Sequence, residues 1–536
     1  LKLQVEKDAF SLGRAVLITV GVLGDEPQPH PQVHHMHDSK RREEEQEGPW
    51  PDRLSVKWNG AGQDFTASPN RLLPITFTFT STNTPQHINI MSTLPEELLQ
   101  HVFSYIHLSG EPRARNQDRV RLLTMASISL ANRMCYRVVK PHMYHTLILE
   151  DYDHTARRRN ILRTLLQDAD TGSLVQLFYA GSWSLEVDYE NTTWQPVPVP
   201  DDLKRDALVA LDGAGLPTSL RDHLRLQLAR GVEDAEIALL LLLVPKIRLL
   251  DISVSFHVKE SLAMSVIQHG PLQHLSEVKV SHSDTEGSSS MDGLVALLQL
   301  PALDTFRGRM IDCNSESSTL LEPIRSTLKK IFFNMCLLDA VGLQRLLVAC
   351  PDLETLSVHW GSATVGDSSI EYHAIGQALR DNGTKLKNLH LKPEDAEVFD
   401  DSLDSDSPLG RLKELAALRL LNVPYRALCA TTGTVPEYLV QILPYSLRTL
   451  RIADAEESSS VEDDEDSNEE AFLLDLQLLE VMRDDNFSDL STIRVQRGDG
   501  FTLSEEAKEA GWNDDESNNY WVVLKKQRPQ DGDRTG

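Results

Sequence analysis

Four histidines, His30, His34, His35 and His37, sit close enough along the chain to offer imidazole nitrogens to a divalent metal. They lie in "PQPHPQVHHMHD", a Pro-rich polar stretch that cannot bury a core, so incidental clustering is the expectation and no metal site is predicted. Two glycine turns, "DGAGLP" (Asp212–Pro217) and "TTGT" (Thr431–Thr434), have the small residues a phosphate cradle uses but lack G-x-x-x-x-G-K-[ST]. Neither a G-x-S-x-G elbow nor an H-E-x-x-H pair occurs. The five cysteines, Cys135, Cys313, Cys336, Cys350 and Cys429, are widely separated and have no neighbouring base to activate a thiolate. Cys350, just before "PDLETL", reads as a core residue, and "RGD" at Arg497–Asp499 as a turn after a strand. No catalytic residue and no cofactor are predicted, and the chain is not expected to be an enzyme.

Composition narrows the field further. The 536 residues exceed what one compact core usually serves. A formal net charge of −27 repels phosphates, so nucleic acid is not an expected partner. The apolar runs Ala15–Leu23 and Ile237–Pro245 are far shorter than the ~20 residues of a spanning helix, so no membrane association is expected. Sparse, unpaired cysteines fit a reducing compartment, cytoplasm and/or nucleus. Residues 1–90 are rich in Pro, His and charge and read as disordered. The chain opens on Leu1, and the ordered pattern starts at Met91, which suggests that residues 1–90 are not native.

The elements begin with "STLPEELLQHVFSYI". Thr93 and Glu96 form a capping box, Pro95 fits the first turn, and Leu98, Leu99, Val102, Phe103 and Ile106 make one apolar face. Charged "GEPRARNQDR" (Gly110–Arg119) reads as a loop. A second helical run follows to Pro141, with Val120, Leu123, Ile128, Leu130, Ala131 and Tyr136 as candidate buried positions. Residues 91–143 resemble an F-box of the fungal type. Leu94, Pro95, Glu97 and Leu98 match its Leu-Pro-x-Glu-Leu opening; Ser129, Leu130 and Arg133 match its middle; Pro141 and Tyr144 match its end. The resemblance implies docking on the Skp adaptor, and through it a cullin, by Leu94, Pro95, Glu97, Leu98 and Val102. The sequence departs from the family in a longer, Arg-bearing loop and in lacking tryptophan near Cys135 and Tyr136.

From residue 144 to 526 a unit recurs: a short L-x-x-L-x-L strand, then an amphipathic helix, every 25–33 residues in the central part. Strands are predicted in the segments starting at Tyr144, Ser173, Lys246, Leu272, Leu300, Leu328, Pro351, Leu386, Leu412, Ser446 and Leu490. The pattern resembles leucine-rich repeats. The expected fold is α/β: a short all-α F-box module, then an irregular solenoid with parallel strands on its concave side and helices on its convex side. A doubly wound sheet is the alternative reading of alternating strands and helices. Residues 201–245 read as an inserted helical pair, "SEEAKEAGWNDDESNNYWVVLKKQ" as a helix-and-strand cap, and 527–536 as a disordered tail. Acidic segments near 393–408 and 454–470 read as solvated loops or as attractors of a basic partner, with Ser458 to Ser460 as phosphorylation candidates.

Alternation assigns Phe333, Ser357, His359, His390, Arg419 and Arg451 to the outward side of the strands, as candidate contacts to a protein substrate. The function these readings imply is that of a non-catalytic substrate-recognition subunit of an SCF-type (Skp–cullin–F-box) ubiquitin ligase. The rival is a repeat scaffold that binds proteins, with a degenerate F-box and no ligase role.

Overall fold

A computed structural model describes residues 2–5, 16–21, 55–58, 75–80, 96–104, 115–149, 155–185, 196–254, 261–270, 272–284, 287–361, 370–393, 409–428, 438–453, 466–496, 504–515 and 521–527. The chain divides into two compact units, Leu1–Tyr144 and His145–Gly536.

In the first unit, residues 1–90, expected to be disordered, include four short described strands. Strands β1 (Lys2–Val5), β2 (Val16–Gly21), β3 (Ser55–Trp58) and β4 (Ile75–Thr80) form an antiparallel sheet in the order β1-β2-β4-β3. The reason is visible in "ITFTFT" and "VLITVG": β-branched and aromatic residues fill both strands, and "ITFTFT" alternates at a period of two. The histidine cluster lies outside the described residues.

Three helices follow: α1 (Glu96–Ser104), α2 (Arg115–Ser129) and α3 (Arg133–Met143). The single long second run expected from the sequence is broken at Asn132, whose side chain caps α3 by accepting from Cys135 N–H at 2.8 Å. Helix α2 begins within the segment read as a loop. Leu99, Phe103, Met125, Ile128, Cys135, Val138 and Val139 form the core of the bundle, and an ion pair joins Glu96 of α1 to Arg137 of α3.

The second unit is mixed α/β, built on one large, mostly parallel sheet. Its strands are β5 (Thr146–Leu149), β6 (Leu177–Ala180), β7 (Leu249–Val254), β8 (Glu277–His282), β9 (Ser289–Ser290), β10 (Thr305–Arg309), β11 (Ile311–Cys313), β12 (Lys330–Leu338), β13 (Thr355–Trp360), β14 (Asn388–Pro393), β15 (Leu420–Pro424), β16 (Thr449–Ala453), β17 (Thr492–Gln496), β18 (Trp512–Asp514) and β19 (Trp521–Lys526). Each strand predicted from the sequence is present. From β5 to β17 the order follows the chain, with β9 and β11 set beside the main path. A doubly wound sheet reverses direction at a switch point, and this order never does. Right-handed crossovers in such a sheet place every connection on the same face. The carboxy-terminal helix and strand expected as a cap are joined by a further short strand: β19 pairs antiparallel with β17, and β18 with β19.

Burial alternates along the strands, as in β7 and β8, where every second side chain is buried. One inward row runs Phe178, Leu250, Val278, Phe306, Ile331, Leu356, Leu389, Leu421, Leu450, Ile493 and Leu524 in hydrogen-bonded register, all essentially inaccessible. Cys313, Cys336 and Cys350 are buried with this core; desolvation pushes all three thiols up, Cys350 to about 12. They are packing residues, as expected for Cys350; Cys429 lies outside the described residues.

The insertion over residues 201–245 holds three helices rather than a pair: α5 (Asp201–Gly213), α6 (Thr218–Arg230) and α7 (Glu233–Leu243), after α4 (Thr155–Gln167). Gly231, at φ 83°, closes α6; a Cβ there would sit 1.9 Å from the Val197 carbonyl oxygen. Helix α7 is buried on nearly all sides yet carries charge. Glu236 accepts from Arg158 Nε at 2.6 Å and Arg159 Nε at 2.8 Å, while Glu233 accepts from Arg158 Nη2 at 3.1 Å. Two cations therefore meet two anions. Asp234, its carboxyl pushed up by burial, accepts from Trp183 Nε1 and Ser261 Oγ, each at 2.7 Å, and from Leu262 N–H. Removing one partner of a buried pair strands the other's charge, typically at about 3–5 kcal/mol. Glu236→Gln is thus expected to lower stability by about that much, read as a large fall in midpoint in thermal or urea unfolding; an unchanged midpoint would show that the two arginines are solvated without Glu236.

Candidate interaction surfaces

The residues left between the inward rows make up the opposite face of the sheet, where Ser357 and Val523 are themselves nearly enclosed. Hydrogen-bonded register aligns Ile148, Tyr179, Asp251, Lys279, Arg307, Phe332, Ser357, His390, Asn422, Arg451, Arg494 and Val523 across successive strands. Arg307 bonds Glu277 at 2.9 Å and lies 4.3 Å over the Phe332 ring, so one end of the row is already neutralised and stacked. Ser357 is nearly enclosed between its neighbours. His390 and Asn422 are within hydrogen-bond distance, 3.2 Å between His390 Nδ1 and Asn422 Nδ2. Next come two arginines side by side, Arg451 and Arg494.

Of the residues assigned outward from the sequence, Ser357, His390 and Arg451 share this row. His359 lies on the same face two residues further along β13, opposite Asn334 and Lys392. Phe333 is a correction. It is 1% exposed on the inward side, paired with Val358 and edge-on to Phe306. "IFF" puts two aromatics in succession, and only register decides between them. Gly308 on the neighbouring strand settles it, because a Cβ there would approach the Phe333 ring to 3.0 Å. Arg419 is exposed just before β15, where its carbonyl accepts from Arg448 and Thr449; it is not brought to the row. Arg494 and Asn422 were missed. The signal was present: "TLRI" in β16 and "TIRV" in β17 superpose Arg451 on Arg494.

Electrostatics single out the same end of the row. Burial lowers the His390 pKa, and the positive charge of Arg451 and the neighbouring His359 lower it further. Arg451 is itself held below its ordinary range, first by desolvation and then by Arg494.

In the helical bundle, Glu97 is exposed, and Leu98 and Val102 lie on α1; Leu94 and Pro95 lie outside the described residues. The candidate buried positions of the second run are mostly at the surface, which is a correction. Ile128 is buried, but Leu130 is 87% exposed and Leu123 54%, and Val120, Ala131 and Tyr136 are exposed too. Among the described residues the core of the bundle is made by Leu99, Phe103, Met125, Ile128, Cys135, Val138 and Val139, without these side chains.

Among the described residues no group of three or more His, Cys, Asp or Glu side chains is arranged to hold a metal, and no helix is long and apolar enough to cross a membrane. No family model and no curated protein matches the chain.

A free histidine titrates near 6.5, and a nearby cation disfavours its protonation. NMR titration of the His390 ring should give a midpoint below that value, and Arg451→Gln should move it upward. A midpoint unmoved by the substitution would separate the two side chains electrostatically.

Proposed function

We propose that the chain is a non-catalytic substrate-recognition subunit of an SCF-type ubiquitin ligase, in which the helical module is an F-box and the parallel array is a leucine-rich-repeat solenoid. In this reading the strands line the concave side and the helices the convex side. The exposed apolar residues of the bundle carry the proposal: Leu123 and Leu130 lie on and just after α2, in a segment whose Ser129, Leu130 and Arg133 match the F-box pattern. Apolar side chains left at the surface of a small module mark a protein contact more readily than a solvated face. Support for the solenoid comes from spacing and order. The equivalent positions Leu249, Glu277, Thr305, Lys330, Thr355, Asn388, Leu420 and Thr449 recur every 25–33 residues in a sheet without reversal.

The division of labour follows from geometry and proximity. The bundle docks on the Skp-type adaptor, and through it on a cullin, using Leu94, Pro95, Glu97, Leu98 and Val102 together with Leu123 and Leu130. The outward strand face selects a protein substrate, which is held near the charged ubiquitin carrier at raised effective concentration. Cytoplasm and nucleus are where such a ligase works.

Co-purification with a Skp-type adaptor tests the assignment. Wild type should retain the adaptor. Pro95→Ala with Leu98→Ala, and separately Leu123→Glu with Leu130→Glu, should weaken it about tenfold or more, the scale of one or two lost apolar anchors. Unchanged thermal unfolding of the Leu123/Leu130 variant would place its loss at the contact. Retained adaptor in both variants would reject the docking face. Absence of adaptor from wild type would make the chain a repeat scaffold with a degenerate F-box.

A further inference from the structure

Several cations along the sheet are paired. Arg307 has Glu277, Lys330 has Asp304, and Lys387 has Glu354. Arg451 and Arg494, both half-buried, differ from these. They are neighbours in register on adjacent parallel strands, so their backbones are about 4.8 Å apart. Neither has a carboxylate partner among the described residues, and the Nε of each is sheltered from solvent without any hydrogen-bond acceptor. Leaving a charged donor unmet is costly, and two guanidiniums at this spacing also repel. The sheltered Nε atoms are out of a partner's reach, but both side chains are part-exposed, and anions that meet their accessible ends relieve the repulsion.

We propose that Arg451 and Arg494 form the recognition site for an acidic peptide segment of a protein partner, each guanidinium taking one carboxylate. Two planar forks set one strand apart match two carboxylates one to one, in the bidentate geometry that this pair favours. Asn422 and His390, next in the row, add neutral hydrogen-bonding groups beside the cations. Nucleic acid is disfavoured because the −27 chain repels a long polyanion, whereas a short acidic segment meets chiefly the charges within a Debye length, about 8 Å at physiological salt. The inference rests on the outward strand face being the partner surface; it does not depend on adaptor docking.

The test uses the full chain and a fluorescein-labelled tetraglutamate peptide, read by anisotropy at low and physiological salt. Tetraglutamine and a tetraglutamine frame carrying one O-phosphoserine serve as comparisons. Tetraglutamate should bind, more weakly at the higher salt, and tetraglutamine should not. Arg451→Gln and Arg494→Gln should each weaken binding about tenfold or more, consistent with losing one charge-assisted pair. The Arg451→Lys, Arg494→Lys double variant keeps the charge but loses the forks, and should fall between. Arg205→Gln, on α5 and exposed, should leave binding unchanged. Added tetraglutamate should raise the His390 titration midpoint, which binding elsewhere would not do. The proposal is overturned by equal binding of tetraglutamine, by no binding of tetraglutamate, or by binding indifferent to both glutamine variants with their melting curves intact. Tighter binding of the phosphoserine peptide than of tetraglutamate would also overturn it, replacing carboxylates by a phosphoryl group. Adaptor co-purification by the same variants should persist, so failure here and failure of the ligase assignment are separable.

Discussion

No strand of the second unit owns a core. Leu356 is buried because Ile331 and Leu389 flank it in register and a layer of helices lies behind. The same holds for its neighbours along the row from Phe178 to Leu524. Fully burying one such side chain contributes roughly 1.5–3 kcal/mol, but only while the strands on either side are present. This dependence on neighbours explains the monotonic strand order. A reversal would leave a leucine row without its partner. It also explains why the ends look different from the middle. At the carboxy-terminal end β19 runs antiparallel along β17 and adds Val522 and Leu524 to the inward side, and β18 brings in the buried Trp512.

Near the other end the problem is solved with charge. The stretch "EDAEIALLLLL" reads as continuous apolar core after its first turn, and α7 is buried accordingly. Its acidic start must still be satisfied. Glu233 and Glu236 meet Arg158 and Arg159 from α4, and Asp234 accepts the amide of Leu262 at the start of the next helix (Leu262–His269). The polar groups specify which helix packs on which. An all-leucine contact would tolerate sliding, whereas carboxylates that must meet particular donors do not.

Strand positions were legible because a leucine every second residue is a strong period-two signal. Facing was less legible. "TLSVHW" and "NLHLK" place polar residues between apolar ones, so Ser357, His359 and His390 could be assigned to the outward side. "KIFFNM" offers no such contrast, and only the cross-strand partner Gly308 turns Phe333 inward. In the bundle the sequence gives helices but not their faces. Leucines at positions 123 and 130 look like core until the size of the core is known, and the three short helices are filled without them. The strand "ITFTFT" was outweighed by the composition around it, since a stretch rich in Pro, His and charge hides a short alternating run.

The inward rows constrain the outward ones only through geometry, and that freedom matters for recognition. A parallel ladder fixes the spacing between outward side chains at about 4.8 Å and leaves their identity open. Along one row this chain moves from a stacked Arg307–Phe332 pair, through the enclosed Ser357 and the His390–Asn422 pair, to two arginines with no carboxylate partner among the described residues. Overall charge would predict that such an acidic chain repels acidic partners. Within a Debye length, however, the local pair dominates, and the distant carboxylates are screened. Net acidity and a cationic site are therefore compatible. Broad repulsion suppresses nonspecific polyanions, while the two half-buried arginines would favour a partner that brings carboxylates to this one place on the sheet.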